Sequence, residues 1–248
     1  MQPPVTKECI VRRQQPVTEP LRTLPAQIDA KGFAIIERVF ETREIDSIAE
    51  ALYREPLPRS RAGARHAMQC PLVANLARDP RLLNLARHVL GPDAVPYRAT
   101  LFDKLPTANW LVVWHQDTAL PLRERADVPG WGPWSVKAGV NYAHAPAAAL
   151  RRVLALRIHL DDSTEANGPL RVIPGTHERG VLTDEALQSL AQEITPVDCM
   201  VGRGGVLAMR PLIAHASSKS RTDASRRVLH VEYAASLNIE PGLQLAVA

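Results

Sequence analysis

A mainly β fold with flanking helices, a double-stranded β-helix or jelly roll, is what this chain predicts, on three observations. From about residue 99 onward, short β-like runs dominate, separated by Pro, Gly and Asp turns at irregular spacing. Two amphipathic helical patterns precede them. Finally, 248 residues of which 46% are hydrophobic supply one large core more readily than two small ones.

Taken in order, residues 1 to about 24 carry Pro3, Pro4, Pro16 and Pro20 and read as a tail or edge segment, which leaves 25–248 as the folded domain. Lys31-Gly32 ends a short helix and opens a strand, Phe33-Ala34-Ile35-Ile36. Ile45, Ile48, Ala49 and Leu52 then follow the i, i+3, i+4, i+7 pattern of a helix with one apolar face. A second helix places Leu82, Ala86 and Val89 on one face, with Pro80 in its first turn and Gly91-Pro92 as its stop. Strands are expected over 99–104, 110–114, 153–160, 170–173, 205–209 and 228–233, interrupted by a helix that buries Leu187, Leu190, Ala191 and Ile194. The segment 119–150 shows neither period. A loop of that length within a compact domain is usually a lid or a binding loop, and Trp131, Trp134 and Tyr142 argue against disorder there.

Composition excludes several classes of function. The net charge of +4 is dispersed, with no basic stripe interleaved with aromatics, so it serves solubility rather than nucleic-acid binding. Cys9, Cys70 and Cys199 lie far apart in an odd-numbered set, which suits a reducing cytoplasm and suggests neither a disulfide framework nor a zinc knuckle. The N-terminal stretch has no apolar h-region and no uncharged apolar run reaches membrane length, so neither secretion nor membrane insertion is expected.

The chemistry concentrates at His115-Gln116-Asp117. In an extended strand alternate side chains share a face, so His115 and Asp117 lie together about 6.6 Å apart along the backbone while Gln116 points away. An imidazole and a carboxylate so placed can meet on one divalent ion, and a second His would complete a facial triad with open positions opposite. The triplet alone is weak: eight His and twelve Asp in 248 residues give about 0.4 such pairs by chance. Context comes from about a hundred residues downstream, where the apolar run 206–214 ends in His215 and Ser217. After the polar return 218–225, Arg226 opens the next strand. In an antiparallel return the new strand begins near the end of the old one, so Arg226 can face the same pocket and hold a carboxylate with its planar fork.

Four stretches together carry a resemblance: Phe102-Asp103-Lys104-Leu105-Pro106; Trp114-His115-Gln116-Asp117; Leu160-Asp161-Asp162 through Asn167-Gly168-Pro169-Leu170 to Pro174-Gly175-Thr176-His177; and His215-Ala216-Ser217 with Arg226 eleven positions after His215. In order and spacing the chain resembles the phytanoyl-CoA dioxygenase family of Fe(II)/2-oxoglutarate oxygenases over roughly 32–233. The resemblance implies that His115, Asp117 and His215 bind Fe(II), and that Arg226, helped by Ser217, pairs with the distal carboxylate of 2-oxoglutarate. By the same alignment Thr100, Arg157 and Arg65 fall at cosubstrate-facing positions. Some relatives have an aromatic residue where Arg157 stands, and Arg227 is the competing register for Arg226.

The activity so implied is hydroxylation of a small-molecule substrate by O₂, with 2-oxoglutarate converted to succinate and CO₂. Asp117 favours this outcome, since related halogenating enzymes have a small residue in place of the carboxylate. Trp131 and Trp134 either stack on substrate or anchor the lid, which also carries Arg123, Arg125, Lys137, Arg151 and Arg152. His177 is expected in a turn, orienting neighbours, and His66, His88, His144, His159 and His230 show no ligand pattern. Two other readings stay open: a cupin-like metal dioxygenase or isomerase that needs no oxoacid, and an inactive ligand-binding relative.

Overall fold

The computed structural model describes residues 19–60, 63–104 and 108–248. The expected tail up to residue 18 and Leu105-Pro106 lie outside the described residues. In chain order the elements begin with α1 (Glu19–Lys31), β1 (Phe33–Ile36), α2 (Thr42–Arg54), β2 (Arg59–Ser60), β3 (Gly63–Ala64), α3 (Pro71–Leu76) and α4 (Pro80–Leu90). They continue with β4 (Val95–Lys104), β5 (Val112–His115), β6 (Ala119–Leu122), β7 (Trp134–Lys137), β8 (Val140–His144), α5 (Ala147–Leu150) and β9 (Val153–His159). The remainder is β10 (Leu170–Ile173), α6 (Asp184–Glu193), β11 (Val197–Cys199), β12 (Val206–Met209), β13 (Ala214–Ser217), β14 (Arg226–Ala234), β15 (Asn238–Glu240) and β16 (Leu243–Gln244).

Two antiparallel sheets make the jelly roll. The major sheet has the order β1-β12-β9-β14-β4-β3-β2 and the minor sheet β11-β10-β13-β5. Period-2 alternation on the major sheet decides what each face does. Leu229, Val231 and Tyr233 of β14 join Leu154, Leu156 and Ile158 of β9 in the core cluster that receives Ile45, Ala49 and Leu52 of α2 and Leu82, Leu85 and Ala86 of α4. Each Leu or Ile so buried contributes about 1.5–3 kcal/mol of transfer free energy. The opposite face looks into the sandwich. There Phe33, Ala155, Leu207 and Met209 pack on Leu170, Val172 and Cys199 of the minor sheet, while the alternate residues of β14, Arg226, His230 and Glu232, bring polar and ionisable groups inside.

Residues 19–24, expected in the tail, belong instead to α1. Leu24 and Ile28 are fully buried against the core, with Leu21 packed alongside, and this apolar stripe holds a helix that contains Pro25. Segment 119–150 also differs from the loop expected of it. It contains the three-stranded antiparallel sheet β6-β8-β7, followed by α5. Its signals are weak ones. The β7–β8 hairpin turns on Ala138-Gly139, both at positive φ, in the conformation that Asn-Gly would have advertised. Pro121 is tolerated because β6 is an edge strand of its sheet. Cys70 and Cys199 are free and buried. Among the described residues no helix is long and apolar enough to cross a membrane.

The turn Thr164–Gly168 carries the chain from β9 of the major sheet to β10 of the minor sheet and packs against the residue that follows β13. Asn167 reaches back to the Thr164 N–H at 2.9 Å and donates to the Asp162 carbonyl at 2.8 Å. Gly168 follows at φ +67, where a Cβ would lie 2.3 Å from the Ser218 carbonyl oxygen, which accepts a 2.6 Å bond from Lys104 Nζ. Gly168→Ala therefore meets both backbone strain and a collision with main chain. It is expected to destabilise the fold by about 2–3 kcal/mol, seen as a lower urea midpoint at unchanged slope; a midpoint equal to wild type would contradict this account of the turn.

Candidate metal centre

The pairing of β5 with β13 sets His115 directly opposite His215, and their rings lie 4.1 Å apart, tilted at 53°. Two residues past His115, Asp117 is held by a backbone bond from its N–H to the Pro211 carbonyl at 2.9 Å. Its carboxylate lies 4.0 Å from His115 Nε2 and 3.6 Å from His215 Nε2. One donor atom from each residue falls within 4.8 Å of the others, and this is a His/Asp set with the spacing to hold a metal ion.

Both imidazoles are oriented in the same way. His115 Nδ1 lies 2.8 Å from the Val113 carbonyl and His215 Nδ1 lies 2.8 Å from the Ile213 carbonyl. A carbonyl only accepts, so each Nδ1 carries the proton and each Nε2 lone pair is left facing Asp117. Burial pushes His215 down to about 4, against the opposing pull of Asp117, so it is neutral and able to ligate near pH 7. Burial would raise Asp117, but His215, His230, His115 and Arg98 together hold its carboxyl well below the usual range.

Gln116 faces away, as its alternation predicts, and locks the strand from behind. Its amide donates to the Gly180 and Leu212 carbonyls at 2.9 and 2.6 Å, and its carbonyl accepts from the Leu182 N–H at 2.8 Å. The side chains of His115 and Asp117 are 37% and 31% exposed against 5% for His215, so the open side of the centre lies toward β5.

A cavity at the triad is lined by Phe102, Trp110, Val112 and Leu170, with Arg157, Ser217 and Arg226 supplying its polar wall. Burial, and then the nearby Arg157 charge, lowers Arg226 to about 10, and burial likewise lowers Arg157 to about 10; both remain cationic near pH 7. Arg157 Nη1 donates to His230 Nδ1 at 3.0 Å and its guanidinium lies 5.2 Å from the Phe102 ring centre. Yet Nε of both arginines is buried without a hydrogen-bond partner, and among the described residues neither guanidinium has a carboxylate at ion-pair distance. A buried cation left so is costly. An anionic ligand between them would satisfy it, so the donor set fits a metal ion with a carboxylate-bearing ligand beside it. A larger cleft lies at the C-terminal hairpin, lined in part by Arg123, Glu124, Arg152 and Gln244, and it carries none of these groups.

The remaining expectations distribute as follows. Arg227, the alternative register for Arg226, points outward and pairs with Asp161 at 2.7 Å. Thr100 is opposite His230 in the β4–β14 register and is half-buried, off the cavity lining. Arg65 is exposed and its charge is felt at His66 and Lys137, away from the Arg226 end. Trp131 is buried in the apolar cluster of Leu120, Leu122 and Ala143, and Trp134 packs on that cluster from outside, so neither ring lines the cavity. His177 is buried in its turn with Nε2 3.1 Å from the Asp29 carbonyl. Sequence reasoning missed Lys104, which is buried, 3.3 Å from Ser217 Oγ and opposite Arg226 in the sheet. Its inward position follows from alternation with Phe102, although a strand Lys ordinarily signals solvent. His230 was missed too; it shares the inward face of β14 with Arg226.

Among known proteins, the chain is 27% identical over 165 residues to an ectoine dioxygenase of Bordetella parapertussis, covering 60% of this chain and 46% of that protein. It is 28% identical over 188 residues to the L-proline trans-4-hydroxylase of Streptomyces griseoviridis, covering 65% of this chain and 62% of the hydroxylase. The aligned part thus spans about half the length of these curated relatives. In structure it is similar to EctD from S. alaskensis with bound Fe, at a TM-score of 0.67 and 24% identity, over 91% of this chain and 79% of that one. With a family model matching residues 28–228, this chain belongs to the phytanoyl-CoA dioxygenase (PhyH) family.

Proposed function

We propose that this protein is an Fe(II)/2-oxoglutarate-dependent oxygenase that hydroxylates a small molecule, with residues 19–248 acting as one catalytic unit. The observation that carries the reading is the conjunction of a His/Asp/His ligand set with two buried guanidiniums that lack an anion, in one cavity. An ectoine dioxygenase and a proline hydroxylase among the relatives support the reaction class. Bound there, the metal and the oxoacid supply activation of O₂ coupled to decarboxylation, with RH, 2-oxoglutarate and O₂ giving ROH, succinate and CO₂.

The chain's own part is binding and positioning. His115, Asp117 and His215 hold the ion through Nε2 and carboxylate oxygens, and the carbonyls of Val113 and Ile213 keep both rings in the ligating tautomer. Arg226 receives the distal carboxylate of 2-oxoglutarate. Ser217 and Lys104 stand beside it, and Arg157 adds a second cation along the cavity wall. Phe102, Trp110 and Leu170 exclude water from that end, which strengthens each of these charge contacts.

Three measurements test this. Anaerobic equilibrium dialysis is expected to show at least a hundredfold loss of Fe(II) affinity in His115→Ala and Asp117→Ala proteins that retain the wild-type circular dichroism; unchanged affinity would remove the centre. Arg226→Ala is expected to raise the KM for 2-oxoglutarate by roughly 10- to 100-fold, the worth of a charge-assisted pair, and Arg226→Lys to recover little of it because a point charge does not reproduce the fork. Iron-dependent release of succinate is the direct assay, and a protein that binds Fe(II) yet never consumes 2-oxoglutarate would overturn the reading.

A further inference from the structure

On the side of the centre away from Arg226 lies a second set of charges that the cosubstrate does not use. Ala119, two residues past Asp117 and so about 7 Å further along extended chain, offers its carbonyl to Arg98 Nη1 at 3.0 Å. Arg98 Nε is bonded to the buried carboxylate of Glu232, so this cation is compensated. Its guanidinium carbon lies 5.9 Å from the centre of the Tyr142 ring, on the strand adjoining β6. Two more groups meet the same ring. Lys137 Nζ is 4.8 Å from its centroid, and His66 Nε2 is 2.8 Å from its hydroxyl.

Tyr142 and His66 are buried, whereas Lys137 and Arg65, the residue before His66, are exposed. Among the described residues neither cation has a carboxylate at ion-pair distance. Exposed lysines and arginines usually just solvate a surface, but Lys137 lies against the Tyr142 ring that Arg98 also faces, and Arg65 directly precedes the His66 that bonds the Tyr142 hydroxyl. Burial together with the Arg65 and Arg98 charges lowers Lys137 below its ordinary value, and burial with the Arg98, Arg65 and Lys137 charges does the same for His66. Like charges gathered over a fixed aromatic platform repel one another, and an arriving anion relieves that repulsion. The cluster is joined to the triad through Arg98, which bonds the Ala119 carbonyl two residues past Asp117 and whose charge is felt at Asp117.

We propose that Lys137, standing over the Tyr142 ring, and Arg65, next in the chain to the His66 that bonds that tyrosine, form the subsite that recognises an anionic group, a carboxylate or a phosphate, on the substrate. The assignment rests on the oxygenase reading for its meaning, and it moves Arg65 from the cosubstrate to the substrate. Two cationic poles then flank the metal: a buried one at Arg226 for the oxoacid and an exposed one at Lys137 for the molecule to be oxidised.

Calorimetric titration tests the subsite with hexanoate and hexyl phosphate, each compared with neutral hexanamide, on anaerobic protein loaded with Fe(II) and saturating 2-oxoglutarate so that the Arg226 end is filled. At least one anion is expected to bind about tenfold more tightly than the amide, and whichever of the two binds better identifies carboxylate or phosphate as the group. Lys137→Gln and Arg65→Gln are each expected to lose roughly 5- to 10-fold of anion affinity, with 2-oxoglutarate affinity unchanged within about twofold. Anions that bind no better than the amide, or variants that keep wild-type anion affinity, would overturn the proposal. Failure of the oxygenase reading registers separately, as absence of 2-oxoglutarate binding and of succinate. In that event the same variant comparison on metal-free protein still decides whether the subsite exists.

Discussion

Everything at this centre depends on one strand pairing, that of β5 with β13. Register places His215 opposite His115, and a shift by one residue would turn an imidazole out of the sandwich because side chains alternate faces. Both neighbours of the pairing reinforce it. On one side β10 aligns Val172 with His215 and Leu170 with Ser217; on the other the chain beyond His115 is pinned by the Asp117–Pro211 backbone bond and the three bonds of the Gln116 amide. The ligand geometry is therefore a property of backbone hydrogen bonding.

The second constraint is electrostatic. A sandwich interior ordinarily closes on apolar side chains, and at the Phe33, Leu207 and Val172 end this one does. At the other end it holds Lys104, Arg157, Arg226 and His159 with few carboxylates nearby, and both ring nitrogens of His159 are buried without a partner. Proximity to Arg157 and Arg226, on top of burial, keeps His159 uncharged well below its usual range. Such a wall is under strain of charge, and an incoming dicarboxylate changes an unfavourable interior into a satisfied one.

Much of this was legible in the sequence, for identifiable reasons. Strands 170–173 and 33–36 and the helix from Pro80 emerged with nearly their observed bounds because periodicity and stop signals agreed. Alternation placed His115 and Asp117 on one face and the antiparallel return placed Arg226 within reach of His215, as the register has them, but what singled these residues out from chance matches was the resemblance to the phytanoyl-CoA dioxygenase family. The 119–150 sheet was not legible: the segment shows no period, Ala138-Gly139 is a poor advertisement for a two-residue turn, and β6 contains Pro121, a residue strands disfavour. Helix residues 19–24 were hidden by prolines whose cost the buried Leu24 and Ile28 outweigh. Lys104 and His230 were hidden for a different cause: their importance lies in neighbours contributed by other strands, which no local pattern reports.

The two carbonyls that receive His115 and His215 Nδ1 belong to the residues two positions before each histidine, within the ligands' own chain segments. Tautomer choice is thus made locally, by the same peptide segments that carry the rings. An ion arriving there would find the ligating nitrogens already unprotonated, and its capture would turn on encounter and dehydration rather than on conformational search.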